Sequence, residues 1–309
     1  MKISIIGAGG VGGYFGGKLA NAGYDVTFLA RGEHLKAMQS NGLLVKSIHG
    51  DFKINPVKTT DKISDLTKSD LIIFGVKAWQ LKDMGRELAD TIDKNTILLP
   101  LQNGVLAIDE LKEHIHPNNI IGGLCRIISK IEAPGIINHF GVDPAIVFGE
   151  IDNAKTERIA RIKNIFDQSG FKSKIADDIQ SEIWKKFISI CLSGLLAITR
   201  STYGELREIK ETRLLMTNLL HEIFLLSKKI GIHIEKDFVE KTISAIDTFP
   251  YNSTASLARD VWEGKPSEIE YQNGTVVKLG EKYGVDTPIN QFIYNCILPM
   301  EIRARKKSA

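Results

Sequence analysis

The chain opens with MKISIIGAGGVG, and no other stretch limits its fold as tightly. Lys2 to Ile6 carries isoleucine at 3, 5 and 6, the composition of a buried strand. It runs straight into Gly7-Ala8-Gly9-Gly10-Val11-Gly12, which holds the G-x-G-x-x-G spacing at 7, 9 and 12. Each glycine has a mechanical task. Gly7 permits a sharp turn, Gly9 lets a pyrophosphate approach the backbone, and Gly12 lets the next helix lie close to the strand. A helix starting there presents unpaired N–H groups and the positive end of its dipole. The spacing alone is weak, because glycine collects in loops. Here a strand precedes it, and a helix over about 11–22 and a second strand, Asp25 to Leu29, follow it. The stretch therefore reads as a βαβ unit built for a dinucleotide, with Gly7, Gly9, Gly10, Val11 and Gly12 around the phosphates.

The end of the second strand selects the cofactor. A preference for NAD usually places Asp or Glu there, accepting hydrogen bonds from ribose hydroxyls. This chain reads Phe28-Leu29-Ala30-Arg31-Gly32. No carboxylate stands at the strand end, and Arg31 could pair with a 2′-phosphate through forked, charge-assisted bonds. The expectation is NADPH. The competing readings are a solvated surface arginine and a contribution from nearby Glu33.

With 309 residues the chain is long enough for two domains. Its net charge of +3 is too small and too dispersed to argue for nucleic acid. No run of apolar residues is long enough to span a membrane, and the N-terminus reads as strand and turn rather than signal peptide. Cys125, Cys191 and Cys296 are odd in number and far apart, which fits reduced, buried thiols and a cytoplasmic protein. The histidines form no metal-ligand pattern, and no metal is expected.

Strands and helices alternate through the first half. Leu71-Ile72-Ile73-Phe74 and Thr96-Ile97-Leu98-Leu99 read as buried parallel strands, with helices over about 79–91 and 105–114 after them. A strand at Asn119 to Gly122 follows. Leu43 to Ile54 looks like a small hairpin inserted in the sheet, and the β-branched runs between Ile127 and Glu150 look like strands covering its edge. A helix over about 154–168 and a strand at Phe171 to Ile175 close a doubly wound α/β domain over about 1–177. From Asp178 the chain reads helical to residue 309, in segments over about 179–199, 205–230, 235–247, 252–263, 266–283 and 288–306. Apolar helices in this half could bury a homodimer face or only the core of their own domain. In such enzymes the active site lies near the carboxyl ends of the strands, facing the second domain.

Four stretches carry chemistry. Lys77, in Gly75-Val76-Lys77-Ala78-Trp79, follows a buried strand and would face the cofactor crevice, or else be a surface lysine at a helix start. Asn103, in Leu101-Gln102-Asn103-Gly104, could bond a nicotinamide or a substrate carbonyl, or simply be a turn residue. In Ser181-Glu182-Ile183-Trp184-Lys185-Lys186-Phe187-Ile188, helical spacing puts Lys186 on a largely apolar stripe with Ile183, Ile190 and Ser193. Desolvation there would push its pKa down toward neutrality, which suits a general acid. The alternative is a plain i,i+4 pair with Glu182. The last stretch runs from Ser256 to Glu270 and places Glu268 just after Pro266, as a cap-region carboxylate or as a group facing the substrate.

Taken together these stretches resemble the ketopantoate reductase (2-dehydropantoate 2-reductase) family along essentially the whole chain. The elements are the glycine loop, Arg31, Lys77-Ala78-Trp79, Asn103-Gly104, Trp184-Lys185-Lys186, Ser256, and Glu268-Ile269 with Asn273-Gly274. The resemblance implies a Rossmann domain followed by a helical domain like that of 6-phosphogluconate dehydrogenase. It implies NADPH-dependent reduction of the ketone of a branched 2-keto acid, on the route to pantothenate and coenzyme A. By position, Lys186 resembles the lysine that protonates the ketone oxygen. Glu268 resembles the carboxylate that holds the substrate hydroxyl and orients that lysine. Lys77, Asn103, Ser193 and Ser256 resemble substrate or cofactor contacts.

The lysine helix departs from the family pattern. The family places two asparagines there, in a pattern like K-x-x-x-N followed by N-P-L-T. This chain has Ile190 in place of the first and Ser193 or Gly194 in place of the second. Losing polar contacts shifts which acid is preferred. Two other readings follow: a related NADPH-dependent reductase of another 2-keto acid, and a non-catalytic nucleotide-sensing module that keeps the fold.

Overall fold

Five short parallel strands carry the glycine loop. The structure, a computed structural model, describes residues 1–66 and 68–308. It divides into two units, one of residues 1–102 and 106–179, the other of residues 103–105 and those from 180 onward. The first unit begins β1 (Lys2–Ile6), α1 (Gly10–Asn21), β2 (Asp25–Leu29), α2 (Gly32–Asn41), β3 (Leu43–Ser47), β4 (Phe52–Ile54), β5 (Lys58–Thr60). It continues β6 (Leu71–Phe74), α3 (Leu81–Leu88), β7 (Ile97–Pro100), α4 (Ala107–Lys112), β8 (Gly122–Ala133), β9 (Ile136–Gly149), α5 (Glu157–Gln168) and β10 (Lys172–Ile175). One sheet has the order β5-β2-β1-β6-β7 and is parallel throughout. All four residues of β6 and of β7 are buried, as the unbroken apolar runs demand.

A second sheet, absent from the sequence reading as a separate layer, is organised by β9. β8 pairs antiparallel along its length, while β3 and β10 pair parallel at opposite ends of its other side. The 43–54 hairpin forms, but it joins this sheet through β3 rather than entering the parallel one. The strand expected at 119–122 is instead a 3₁₀ turn over Pro117–Asn119 and a single bridge from Ile120 to Leu98. Pro117 favours the helical turn. Buried Asn119 donates to the carbonyls of Asp93, Lys94 and Thr96, which holds the turn against the start of β7.

Helix α1 sits against both sheets, and its sequence shows why. Glycine costs about 1 kcal/mol against alanine in a helix interior, yet five of its twelve residues are glycine. Packing overrides propensity. A Cβ on Gly12 would lie 2.1 Å from the Gly7 carbonyl oxygen, and one on Gly16 would lie 2.6 Å from Ile5 and Phe28. On the other side, a Cβ on Gly13 would meet Ile137 of β9 at 2.7 Å. Tyr14 and Phe15 are then buried, and Phe15 stacks edge-on with Phe171 at 5.0 Å.

The second unit is helical. It contains α6 (Ile179–Ile190, whose first residue belongs to the first unit), α7 (Leu192–Thr199), α8 (Tyr203–Glu208) and α9 (Lys210–Ile230). After these come α10 (Phe238–Asp247), α11 (Ser256–Trp262), α12 (Asn273–Tyr283) and α13 (Pro288–Ser308). α9 is central and buries Met216, Leu219, Leu220, Ile223 and Leu226 at helical spacing. Its Glu222 accepts from the backbone N–H groups of Ile289 and Asn290, capping α13. Asn290 accepts from Asn273, which also donates to the Cys191 carbonyl. The helix expected over 179–199 therefore breaks at Cys191, where a side chain from α12 takes up the carbonyl. Cys125 and Cys191 are buried, but Cys296, expected buried, is exposed on the outer side of α13. Among the described residues no helix is long and apolar enough to cross a membrane.

One histidine ties the glycine loop to its surroundings. The Gly135 N–H donates to His34 Nδ1 at 3.0 Å, so Nε2 carries the proton and donates to the Ala8 carbonyl at 2.9 Å. Burial lowers the His34 pKa below its ordinary value, opposed by the bond to Ala8. The unfolded chain thus binds a proton more readily than the folded one. This contribution to stability is present above about pH 6.5, the unfolded value, and is lost as the pH falls through the lower folded value. His34→Ala should cost about 1–3 kcal/mol through its two bonds. The fall in melting temperature between pH 7.5 and 5.5 should be smaller in the variant than in the parent; an equal fall in both would remove His34 from this role.

Candidate active site

In the first unit the glycine loop has the shape its spacing predicts. Gly7 has φ +96°, a left-handed conformation suited to glycine. A Cβ on Gly9 would meet nothing within 4 Å, so the backbone there is open to an approaching group. Gly10 is closely covered by Ser129 of β8, its Cβ position lying 2.5 Å from that carbonyl oxygen. Gly10 and Val11 stand in the first turn of α1, which holds no acidic residue and no side-chain cap. Uncharged N–H groups at the start of a twelve-residue helix, beside an open glycine, suit a dinucleotide pyrophosphate.

Arg31 follows β2 as the exposed residue that begins α2. It makes no ion pair among the described residues. Glu33, the nearest carboxylate in sequence, is taken by Lys36 at 2.8 Å. Lys77 is exposed after β6, with Nζ 5.8 Å from the centre of the Trp79 ring. The loop carrying it is pinned by Gln102, whose amide donates to the carbonyls of Phe74 and Val76.

The second unit gathers residues that are remote in sequence. Asn103 Nδ2 donates to Glu268 Oε2 at 2.9 Å across 165 residues. Glu268 is only 6% exposed, so this carboxylate needs such a donor. Gly104 has φ +103°, and a Cβ there would lie 2.7 Å from the Tyr271 carbonyl oxygen. Asn103 reaches Glu268 because a bulkier residue could neither turn nor fit at 104.

On α6 the two neighbouring lysines diverge. Lys185 pairs with Glu235 at 2.7 Å. Lys186 is half-buried, with Ile183 and Phe187 buried around it. Ile190, one turn along, is also half-buried. Ser193 is 2% exposed and donates to Gln272 Oε1 at 2.6 Å. Its hydroxyl is thus engaged by the protein itself. Ser256 is exposed at the first position of α11. Sequence reasoning overlooked His34, Gln272 and the buried Glu301. Gln272 offered a signal, since it directly precedes the singled-out Asn273-Gly274.

Comparison with known proteins identifies the family. The family model "Ketopantoate reductase PanE/ApbA" matches residues 3–153, and its C-terminal companion matches residues 178–301. A 2-dehydropantoate 2-reductase of Aquifex aeolicus is 30% identical, with 98% of this chain and 97% of that protein covered. An "uncharacterized oxidoreductase YkpB" of Bacillus subtilis is 27% identical, covering 95% of this chain and 97% of that one. A crystal structure of a PanE/ApbA family ketopantoate reductase from Ralstonia eutropha superimposes with TM-score 0.90 at 27% identity, covering 99% of this chain and all of that one. With both family models matched in order along nearly its full length, the chain belongs to the ketopantoate reductase family and is an oxidoreductase of that family.

Proposed function

We propose that the protein reduces 2-dehydropantoate to pantoate with NADPH, a step toward pantothenate and coenzyme A. The observation that carries this reading is the buried Asn103–Glu268 bond, in the same helical unit as half-buried Lys186. The Asn103 amide holds one oxygen of the buried Glu268 carboxylate, and in this reading the carboxylate also accepts from a substrate hydroxyl. The Aquifex relative and others are 2-dehydropantoate 2-reductases by name, which supports the choice of acid.

In this reading the loop from Gly7 to Gly12 holds the pyrophosphate through backbone N–H groups, and Arg31 holds the 2′-phosphate. When bound, the reduced nicotinamide supplies the hydride that reaches C2. Lys186 meets the negative charge that grows on the ketone oxygen and gives it a proton, and solvent reprotonates the amine. The ketone thereby becomes a secondary alcohol. Glu268 accepts from the substrate hydroxyl, and Asn103 keeps that carboxylate in place. Lys77 and Ser256 supply further polar contacts to the acid or the cofactor.

A second reading changes only the acid. Ile190 is apolar and half-buried one turn from Lys186, and the Ser193 hydroxyl is spent on Gln272. Both favour a less polar 2-keto acid. Comparing kcat/KM across 2-dehydropantoate and unhydroxylated branched 2-keto acids separates the two. Introducing Ile190→Asn should move the preference toward the hydroxylated acid by about tenfold, the value of one good hydrogen bond.

Two variants test the common core. Lys186→Ala should lower kcat by about 10²–10⁴-fold, the usual span for a general acid. Its NADPH dissociation constant, read by fluorescence titration, should stay near that of the parent; full turnover would remove Lys186 from the chemistry. Arg31→Ala should weaken NADPH binding by about 10–100-fold, as expected for charge-assisted bonds. NADH binding should barely change, whereas an equal effect on both would show that Arg31 does not read the 2′-phosphate.

A further inference from the structure

We propose that Glu301, two-thirds of the way along α13, is a positioning residue that fixes Glu268, and with it the keto-acid subsite. The proposal rests on the reading of Glu268 as a substrate contact. Glu301 is 3% exposed, and its carboxylate meets Ser267 and Arg305. Oε2 accepts from the Ser267 backbone N–H at 2.8 Å and from the Ser267 hydroxyl at 2.7 Å. Arg305, one turn further on, brings Nε to 2.7 Å from Oε1, close enough for an ion pair although not aligned for a hydrogen bond. The same guanidinium donates to the Ser267 carbonyl at 3.3 Å.

Ser267 is therefore held at its N–H, its hydroxyl and its carbonyl by two residues of one helix. It is fully buried, and the next residue is Glu268. The chain is fixed on the other side as well. Glu270 accepts from Lys278 at 2.9 Å and from the Tyr294 hydroxyl. Asn103 then fastens the Glu268 carboxylate itself. A docking contact for α13 alone would be served by apolar side chains, since a buried ion pair is seldom worth more than a well-packed hydrophobic one. The charged clamp supplies direction: it sets where the backbone before Glu268 sits. Misplacing a substrate-binding group by about 1 Å can cost on the order of 10²-fold in rate.

The test compares Glu301→Ala, Glu301→Gln, Ser267→Ala and Glu268→Gln with the parent enzyme. Circular dichroism confirms folding, fluorescence titration gives NADPH affinity, and steady-state kinetics use the best acid of the keto-acid panel. Glu301→Ala should raise the keto-acid KM at least about tenfold and lower kcat/KM by about 10²-fold, with NADPH affinity within about twofold. Glu301→Gln keeps an oxygen for Ser267 and should recover most of that loss. If Glu301→Ala fails to fold, Ser267→Ala serves in its place and should raise KM about three- to tenfold, the share of one hydrogen bond. Unchanged keto-acid kinetics in a folded Glu301→Ala, or in Ser267→Ala where that replaces it, would overturn the proposal. So would a loss shared equally by NADPH affinity and KM, because a merely structural residue would act on both. Glu268→Gln separates the two levels: if it leaves KM unmoved, the reading of Glu268 fails and the positioning role falls with it. If it raises KM while the Glu301 and Ser267 variants do not, only the positioning role fails.

Discussion

The approach of α1 to β1 is the constraint on which the first unit depends. With 2.1 Å between the Gly7 carbonyl oxygen and the place where a Gly12 Cβ would stand, no other residue fits at position 12 without moving helix from strand. That spacing lets Ile5 and Phe28 meet the helix on one side and Ile137 on the other. It also leaves Gly9, at the entry to α1, without a side chain and the first turn without an acid, which is what an anion requires. The helix gives up intrinsic propensity at five positions, and packing against two sheets offsets the loss.

The second unit solves a different problem, holding a buried carboxylate in one place. Glu268 sits in a loop, where a buried acid without fixed partners would drift. Its neighbours prevent the drift: Asn103 grips the carboxylate, and Glu301 with Arg305 grips the preceding residue. A parallel chain of bonds runs from Glu222 through Asn290 and Asn273 to the Cys191 carbonyl, at the break between α6 and α7. Polar networks of this kind fix a geometry through their directional bonds, although here one buried acceptor, Asn273 Oδ1, makes no hydrogen bond among the described residues. The elements carrying Lys186, Ser193 and Glu268 are thus joined by directional bonds as well as by apolar packing.

What was legible in the sequence follows from the range of each interaction. β1, α1 and β2 could be read nearly to the residue, because glycine spacing and apolar runs are local signals. Pairing between distant segments could not. Nothing local says that Leu44 lies beside Ile136, so the 43–54 hairpin was read into the wrong sheet. The break at Cys191 was hidden for the same reason, since the group that takes its carbonyl comes from 82 residues away. Asn103 and Glu268 could each be singled out, but only the fold shows them bonded. Glu301 carried no signal at all, being one charged residue among several near a basic helix end.

The most direct measurement of the central claim follows an isotope. The protein would be incubated with a branched 2-keto acid and NADPH deuterated at C4 of the nicotinamide on the transferred face, and the product weighed by mass spectrometry. The account predicts a 2-hydroxy acid one mass unit heavier than that from unlabelled NADPH, with the deuterium at C2. Oxidation of the cofactor without deuterium in the acid, or no conversion of any keto acid offered, would contradict it.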